Sequence, residues 1–290
     1  MNLGTRWTDE ASRVQSLGSE KLFTHYSLLG AAMPINPNLK RLVDLAAPYW
    51  AGEAEVVWSY FQSPQRTKEK DLLWLRRQCF KEIWGSGVGD KNKGLFQGPV
   101  AYLNGIFSQI DKDVDRYEVL DIIDGLRAEF FHYCLFADIY DSLSGEKLNP
   151  DKLTSWESDN ELARIRYEYR EKRGKLGFFA VRFTEGGYCS MYTTGMRLAG
   201  SSELNTRIAN ACKHVYDDEI GHMRDGFIGL AKQELAPAEW DEIAGMTKKI
   251  LLQRIHMRNE QFSYPLSERR ISEIDAGKIT PMMFDYTGLE

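Results

Sequence analysis

Apolar residues recur along most of this chain at intervals of three and four, the period of one helix face. Over residues 39–61 the stripe is Leu42, Ala46, Tyr49, Val56 and Tyr60, with Glu53 on it and Glu55 facing away. Ser63-Pro64 breaks the pattern, which resumes over 68–84 with Leu72, Leu75, Cys79 and Ile83 on one side. A short helix is predicted over 99–110. Asp111, Asp113, Asp115 and Glu118 then lead into a long helix ending near Leu143, as the dipole at a helix N-terminus favours. Ser144-Gly145 stops it. Helical spacing returns over 160–172, then after Gly174 over 176–198, and again beyond the turn Gly200-Ser201-Ser202-Glu203. Pro237 opens a further helix, 238 to about 262. Before residue 37 a semi-apolar segment, 21–33, is interrupted by Pro34 and Pro37; after 262 the tail is polar except for Pro281-Met282-Met283-Phe284. No alternation suggests paired strands. The pattern predicts one all-α domain over 1–290: a bundle over 37–230, with 1–36 and 237–290 as flanking helices and tail.

The remaining local signals are bland. Residues 85–94 are glycine-rich, but no strand precedes them and the G-x-x-x-x-G-K-[ST] spacing is absent, so they read as a connection. The acids from Asp111 to Glu118 lack the glycine and terminal glutamate of a calcium loop. Composition is that of a soluble globular chain, 43% hydrophobic and 27% charged, with a net charge of −5 that argues against a nucleic-acid surface. The densest basic cluster, Arg164 to Lys175, is interleaved with Glu168 and Glu171 and reads as a solvated helix face. No apolar run would cross a bilayer and no signal-peptide core opens the chain, so the cytoplasm is the expected compartment. Cys79, Cys134, Cys189 and Cys212 form no C-x-x-C and are expected as reduced, buried thiols.

One spacing changes this picture. Glu219-Ile220-Gly221-His222 puts a carboxylate and an imidazole three residues apart, on one helix face. Glu129-Phe130-Phe131-His132 repeats it within the apolar run 126–140, and Glu185 is stranded in another apolar helix. Glu-x-x-His on two helices, with a lone Glu on each of two others, is how bundles hold two metal ions. Glu185 and Glu219 are equidistant from residue 202, at the Gly-Ser-Ser turn, so an antiparallel hairpin sets them face to face. The same construction for Glu129 gives residue 91, inside the glycine-rich loop, with Glu53 as partner. Glu82 and Glu55 are rivals; Glu82 puts the midpoint inside the helix after Pro99.

Asp218-Glu219-Ile220-Gly221-His222 resembles the D-E-x-x-H of ferritin-like di-iron carboxylate proteins, which include the ribonucleotide reductase small subunit, the methane monooxygenase hydroxylase and arylamine N-oxygenases. Glu129 to His132 is similar to their first Glu-x-x-His, and Glu185 to their lone third-helix Glu. The resemblance spans roughly residues 97–230 and, more loosely, 37–84. It departs from the family at the first-helix carboxylate, which normally lies about thirty residues before its Glu-x-x-His; residues 94–101 contain no acid. The resemblance implies a ferritin-like bundle with Glu53, Glu129, His132, Glu185, Glu219 and His222 as metal ligands, and Asp218 hydrogen-bonding a ligand histidine. Glu129 and Glu219 are expected to be catalytic as well. Some N-oxygenating members use a third histidine on the same helix; His214, five residues before Glu219, points somewhat off that face.

The same resemblance implies an O₂-activating oxidase or oxygenase with two iron ions, or manganese, catalysing hydroxylation, N-oxygenation or oxidative bond cleavage of a small organic metabolite. Phe130, Phe131, Tyr133, Phe136, Tyr188 and Tyr192 are first of all core and secondly the wall of an apolar substrate cavity. No flavin or nicotinamide fingerprint is present, so electrons would come from an external ferredoxin or reductase. A homodimer is compatible with the pattern. The alternatives are an iron store or peroxide scavenger on the same ligands, a haem-oxygenase-like di-iron oxidase using His214, Asp218 and His222, and a metal-free helical interaction subunit.

Overall fold

Helix α1 (Pro37–Phe61) starts on a proline, whose fixed φ suits a first helical turn, and buries Leu39, Leu42, Val43, Ala46, Trp50, Val56 and Val57. Helix α2 (Lys68–Ile83) is capped by Thr67, whose hydroxyl accepts from Lys70 N at 3.4 Å, with Glu69 and Asp71 in its first turn. The short α3 (Pro99–Ile106) precedes α4 (Arg116–Ser144), which Asp115 caps by accepting from Tyr117 N at 2.7 Å. Then come α5 (Glu157–Phe183), α6 (Gly187–Met196), and α7 (Glu203–Ala231), capped by Ser202. Helices α8 (Pro237–Gln261) and α9 (Glu268–Asp275) complete the order. This computed structural model describes residues 36–85, 99–184 and 187–284. The protein is all-α; among the described residues no strand forms, and one isolated bridge joins Ile110 and Val114. Residues Pro37–Phe284 make one compact unit. No described helix is long and apolar enough to cross a membrane.

Helix α8, expected at the flank, packs against both α1 and α5, and its Ile243, Ile250, Leu251, Ile255 and Met257 are fully buried. The expected polar tail is also built into the bundle. Ser267 caps α9, whose Ile271 and Ile274 are buried, and α9 packs on α1. Phe284 meets Trp50 with ring centroids 5.4 Å apart, and Phe183 and Phe227 stack on the same indole at 6.3 and 6.4 Å. A second aromatic knot centres on Trp74, with Phe262 at 5.4 Å, Phe61 at 5.7 Å and Phe136 at 6.3 Å.

Two antiparallel pairs place the chemistry. Helices α6 and α7 pair across the turn near residue 202: Gly195 lies against Cys212, and Glu219 is among the charges that, after burial, push the Cys189 thiol up. Helix α2 pairs with α4, Trp74 meeting Phe136. Helices α4 and α7 also touch, which closes the space between the two pairs.

Helix α5 is bent. Gly174 has φ 50° and ψ −126°, a backbone state open in practice only to glycine. Just beyond, Gly177 comes so near the Tyr169 carbonyl that a Cβ would overlap it. The helical stretch expected over 176–198 is divided between the end of α5 and α6. The segment 21–33, nearly all of the glycine-rich loop and Glu185 lie outside the described residues.

Candidate metal centre

Three helices bring carboxylates and imidazoles together. Helix α2 contributes Glu82, α4 contributes Glu129 and His132, and α7 contributes Glu219 and His222. They form two groups, Glu82–Glu129–His132 and Glu129–Glu219–His222, and within each the donor atoms lie within 4.8 Å of one another. Glu129 belongs to both. Either group could hold a metal ion, and together they offer two sites sharing one carboxylate.

The His132 imidazole carries the most information. It is completely buried, and its Nε2 donates to Asp218 Oδ2 at 2.9 Å. That bond leaves Nδ1 as the lone-pair nitrogen of the neutral ring. Nδ1 is buried without a hydrogen bond and faces Glu82 Oε2 at 4.0 Å and Glu129 Oε2 at 3.9 Å. Two donors that each sit roughly 2.1 Å from one cation can be at most about 4.2 Å apart. The separations fit a shared ion and are too long for hydrogen bonds. Glu219 Oε2 and His222 Nδ1 repeat the relation at 3.9 Å.

Glu82 is prepared on its other side. Its Oε1 accepts from Gln78 Nε2 at 2.5 Å and from the Tyr192 hydroxyl at 3.1 Å, which leaves Oε2 toward the cluster. Gln78 is held in turn by Gln261 Nε2 at 2.8 Å, and Gln261 by Arg258 Nη1 at 2.5 Å. Burial pushes the Glu82 carboxyl up, against the opposing pull of His132, Gln78, Tyr192 and Lys81. Burial works against a charged His132, yet the Asp218 hydrogen bond and the charges of Glu82, Glu129 and Asp218 outweigh it and hold His132 above its ordinary value. The His132 hydrogen bond holds Asp218 down. Crowded acids thus favour positive charge at the imidazole, where a cation could take the place of a proton.

Glu53, the carboxylate favoured from sequence, lies elsewhere. It belongs to neither group; Arg254 grips it at 2.8 and 3.1 Å, and Arg258 Nε is 3.5 Å away. Glu55 pairs with Arg270 at 2.7 Å. Glu82 holds the place beside His132. The midpoint construction failed here because it assumes a tight turn, whereas the α2–α4 connection is long and carries α3 at its middle. Asp218 is hydrogen-bonded to His132, the histidine of the other motif. His214 is exposed and touches the Phe131 ring edge-on at 6.1 Å, away from both groups. His214 belongs to neither Glu/His group. Nothing structural is described for Glu185.

A cavity of about 220 Å³ opens against the cluster. Its lining includes Glu82, Glu129, Glu219 and His222 of the cluster together with Gln78, Lys81, Gly85, Arg166, Arg182, Tyr188 and Tyr192. Of the six aromatic residues expected as its wall, Tyr188 and Tyr192 line the cavity and Phe130, Phe131, Tyr133 and Phe136 do not: Phe130 and Phe131 are 41% and 44% exposed, and Phe136 packs between Trp74 and Tyr192. Lys81 is anchored to Asp159 at 2.7 Å. Arg166, read from sequence as solvated, is only 6% exposed. The signal was present: Asp159, Leu162 and Arg166 fall at helical spacing on one buried face. Burial opposes ionisation of Tyr188, but Lys81, Arg166 and Arg254 outweigh it and hold the phenol below its usual value.

No protein family, curated protein sequence or solved structure matches this chain.

Proposed function

We propose that the protein is an O₂-dependent non-haem di-iron oxidoreductase acting on a small organic molecule. The observation that carries this reading is the pair of Glu/His groups sharing Glu129 beside a cavity, with the buried Nδ1 of His132 aimed between two carboxylates. Oxygen and imidazole donors suit iron or manganese better than thiol-seeking ions, and the arrangement resembles that of ferritin-like di-iron carboxylate proteins. Glu82, Glu129 and His132 would hold one ion, and Glu129, Glu219 and His222 the other. Bound iron would supply the electrons that reduce O₂, replenished by an external donor.

The chain's own residues do the rest. Asp218 fixes the tautomer and ring angle of His132. Gln78 and Tyr192 hold Glu82 so that one oxygen faces the ions, and the Arg258–Gln261 pair steadies Gln78. Helices α2, α4 and α7 bury Glu82, His132 and Glu219 and leave Glu129 and His222 partly exposed, and a cation would offset the cost of crowding these acids.

The test is anaerobic loading with ferrous ion, metal analysis, and then O₂ uptake with candidate substrates and a reductant. About two irons per chain, with O₂ uptake stimulated by one compound, are expected. No retained iron would reject the proposal in favour of a metal-free helical protein.

A further inference from the structure

Tyr188 is the second residue of α6 and lines the cavity. Gly187, the first, comes so near Arg254 Nε and Glu53 Oε1 that a Cβ there would overlap both, so α6 begins directly on the Glu53–Arg254 pair. That approach sets the Tyr188 ring on Arg254, whose guanidinium carbon lies 4.3 Å from the ring centroid. Glu53 of α1 holds the guanidinium at two nitrogens and fixes its orientation. Besides burial, four charges act on the phenol: Lys81 of α2, Arg166 of α5 and Arg254 of α8 favour its anion, and Glu219 of α7 opposes it. Lys81 keeps this influence although it is paired with Asp159. Lys81, Arg166 and Glu219 also line the cavity, as do Arg182, Glu82, Glu129 and His222, so the phenol and the cavity share one set of charged neighbours. Other tyrosines go the opposite way. Burial, first of all, pushes the phenols of Tyr49, Tyr60, Tyr133, Tyr192, Tyr216 and Tyr264 up.

We infer that Tyr188 is a proton donor to the molecule bound in this cavity. The phenolic O–H bond breaks and the proton passes to a basic oxygen or nitrogen of the guest. The electron pair of that bond stays on the phenolic oxygen, where Arg254, Lys81 and Arg166 stabilise it, and water restores the proton. No electron leaves the phenol, so the step needs no oxidant. This role rests on the di-iron reading of the same site, and it makes Glu53 and Arg254, which belong to neither Glu/His group, positioning residues for the phenol.

The experiment uses the full-length chain. Tyrosinate absorbance is followed as metal-free protein is titrated with base, in the parent and in Tyr188→Phe, which keeps a ring on Arg254. One phenol of the 14 is expected to ionise below the usual value of about 10, and that early step should be missing from Tyr188→Phe. Lys81→Gln should move it to higher pH. In iron-loaded protein with a reductant, substrate-stimulated O₂ uptake should fall about a hundred-fold in Tyr188→Phe while metal content stays unchanged. The parent's rate should decline on the alkaline side as the donor loses its proton, and in Lys81→Gln that decline should shift to higher pH together with the absorbance step. An early step that is absent from the parent or survives in Tyr188→Phe would overturn the inference. So would an unchanged rate and pH profile in Tyr188→Phe, which marks the phenol as packing alone. A chain that takes up no metal sinks the di-iron reading and this role together; one that takes up two ions and keeps its rate in Tyr188→Phe sinks only the role.

Discussion

Glu53 and Glu82 are both buried carboxylates of one helical bundle, 0% and 5% exposed, yet their surroundings differ in kind. Glu53 gives both oxygens to Arg254 and has Arg258 nearby, so its countercharge comes from the chain. Glu82 has an amide and a phenol on one oxygen; the other faces an imidazole crowded by further acids. The first site is electrically complete and ties α1 to α8. The second is built to a similar standard of burial, in a cluster that could hold a metal ion. Burial of an acid is therefore no sign of a ligand; what separates the two is whether the protein supplies the opposite charge.

The comparison can be broken at its centre. Glu129→Ala removes the carboxylate common to both groups and should reduce metal content from about two ions per chain to less than one, measured by elemental analysis; a full complement would refute the shared-ligand arrangement. Next in size, Arg254→Met strips buried Glu53 of both its hydrogen bonds and leaves it only Arg258, and should cost about 3 kcal/mol in urea unfolding, with or without metal. Glu82→Gln should show the opposite pattern: the metal-free protein is as stable as the parent or more so, and the gain in stability on adding metal shrinks. Equal losses in the two variants would erase the distinction. Asp218→Asn, which weakens the hold on His132, should lower metal affinity about 10–100-fold without unfolding the chain; unchanged affinity would leave that hydrogen bond without a role.

The smallest effect is on pH. Folding raises His132 above 6.5, so its contribution is full below that value and is lost as pH rises through the folded value. Glu82, raised above 4.5, likewise takes up a proton on folding and loses its contribution as pH rises. Asp218, lowered from 3.8, acts in the other direction and only on the acid side, where its contribution is lost as pH falls through the folded value. Metal-free protein should therefore lose stability between about pH 5 and pH 8, and added metal should stabilise more at the upper end. Urea midpoints that stay flat or rise over that range would contradict this.

Much of the site was legible because it is local. A Glu and a His three apart share a helix face whatever the fold, so both motifs could be found on α4 and α7 from spacing alone. The packing of α6 on α7 across the turn was also readable, since a tight turn brings consecutive helices together; Glu185, set opposite Glu219 in that reading, lies outside the described residues. Glu82 was displaced by Glu53 because the α2–α4 connection carries an extra helix, and no periodicity reveals where such a connection lets the chain return. The partner of Glu53 is Arg254, 201 residues along the chain, which no local signal announces. Helix α8 was taken for a flank because chain position says nothing about which faces are covered. Arg166 was submerged in a run of exposed charges, although its spacing from Leu162 marked the inward side.

Sixteen residues separate Arg166 from Arg182. On an unbroken helix they would stand roughly 24 Å apart along the axis and about 160° around it, looking out on unrelated surroundings. The left-handed residue at Gly174 folds the chain so that a single stretch visits one chamber twice. A single backbone angle thus sets how far apart the two guanidinium groups sit. Lengthening or tightening that bend would shift the two guanidinium groups relative to each other and reshape the chamber they both line, without altering Glu82, Glu129, His132, Glu219 or His222.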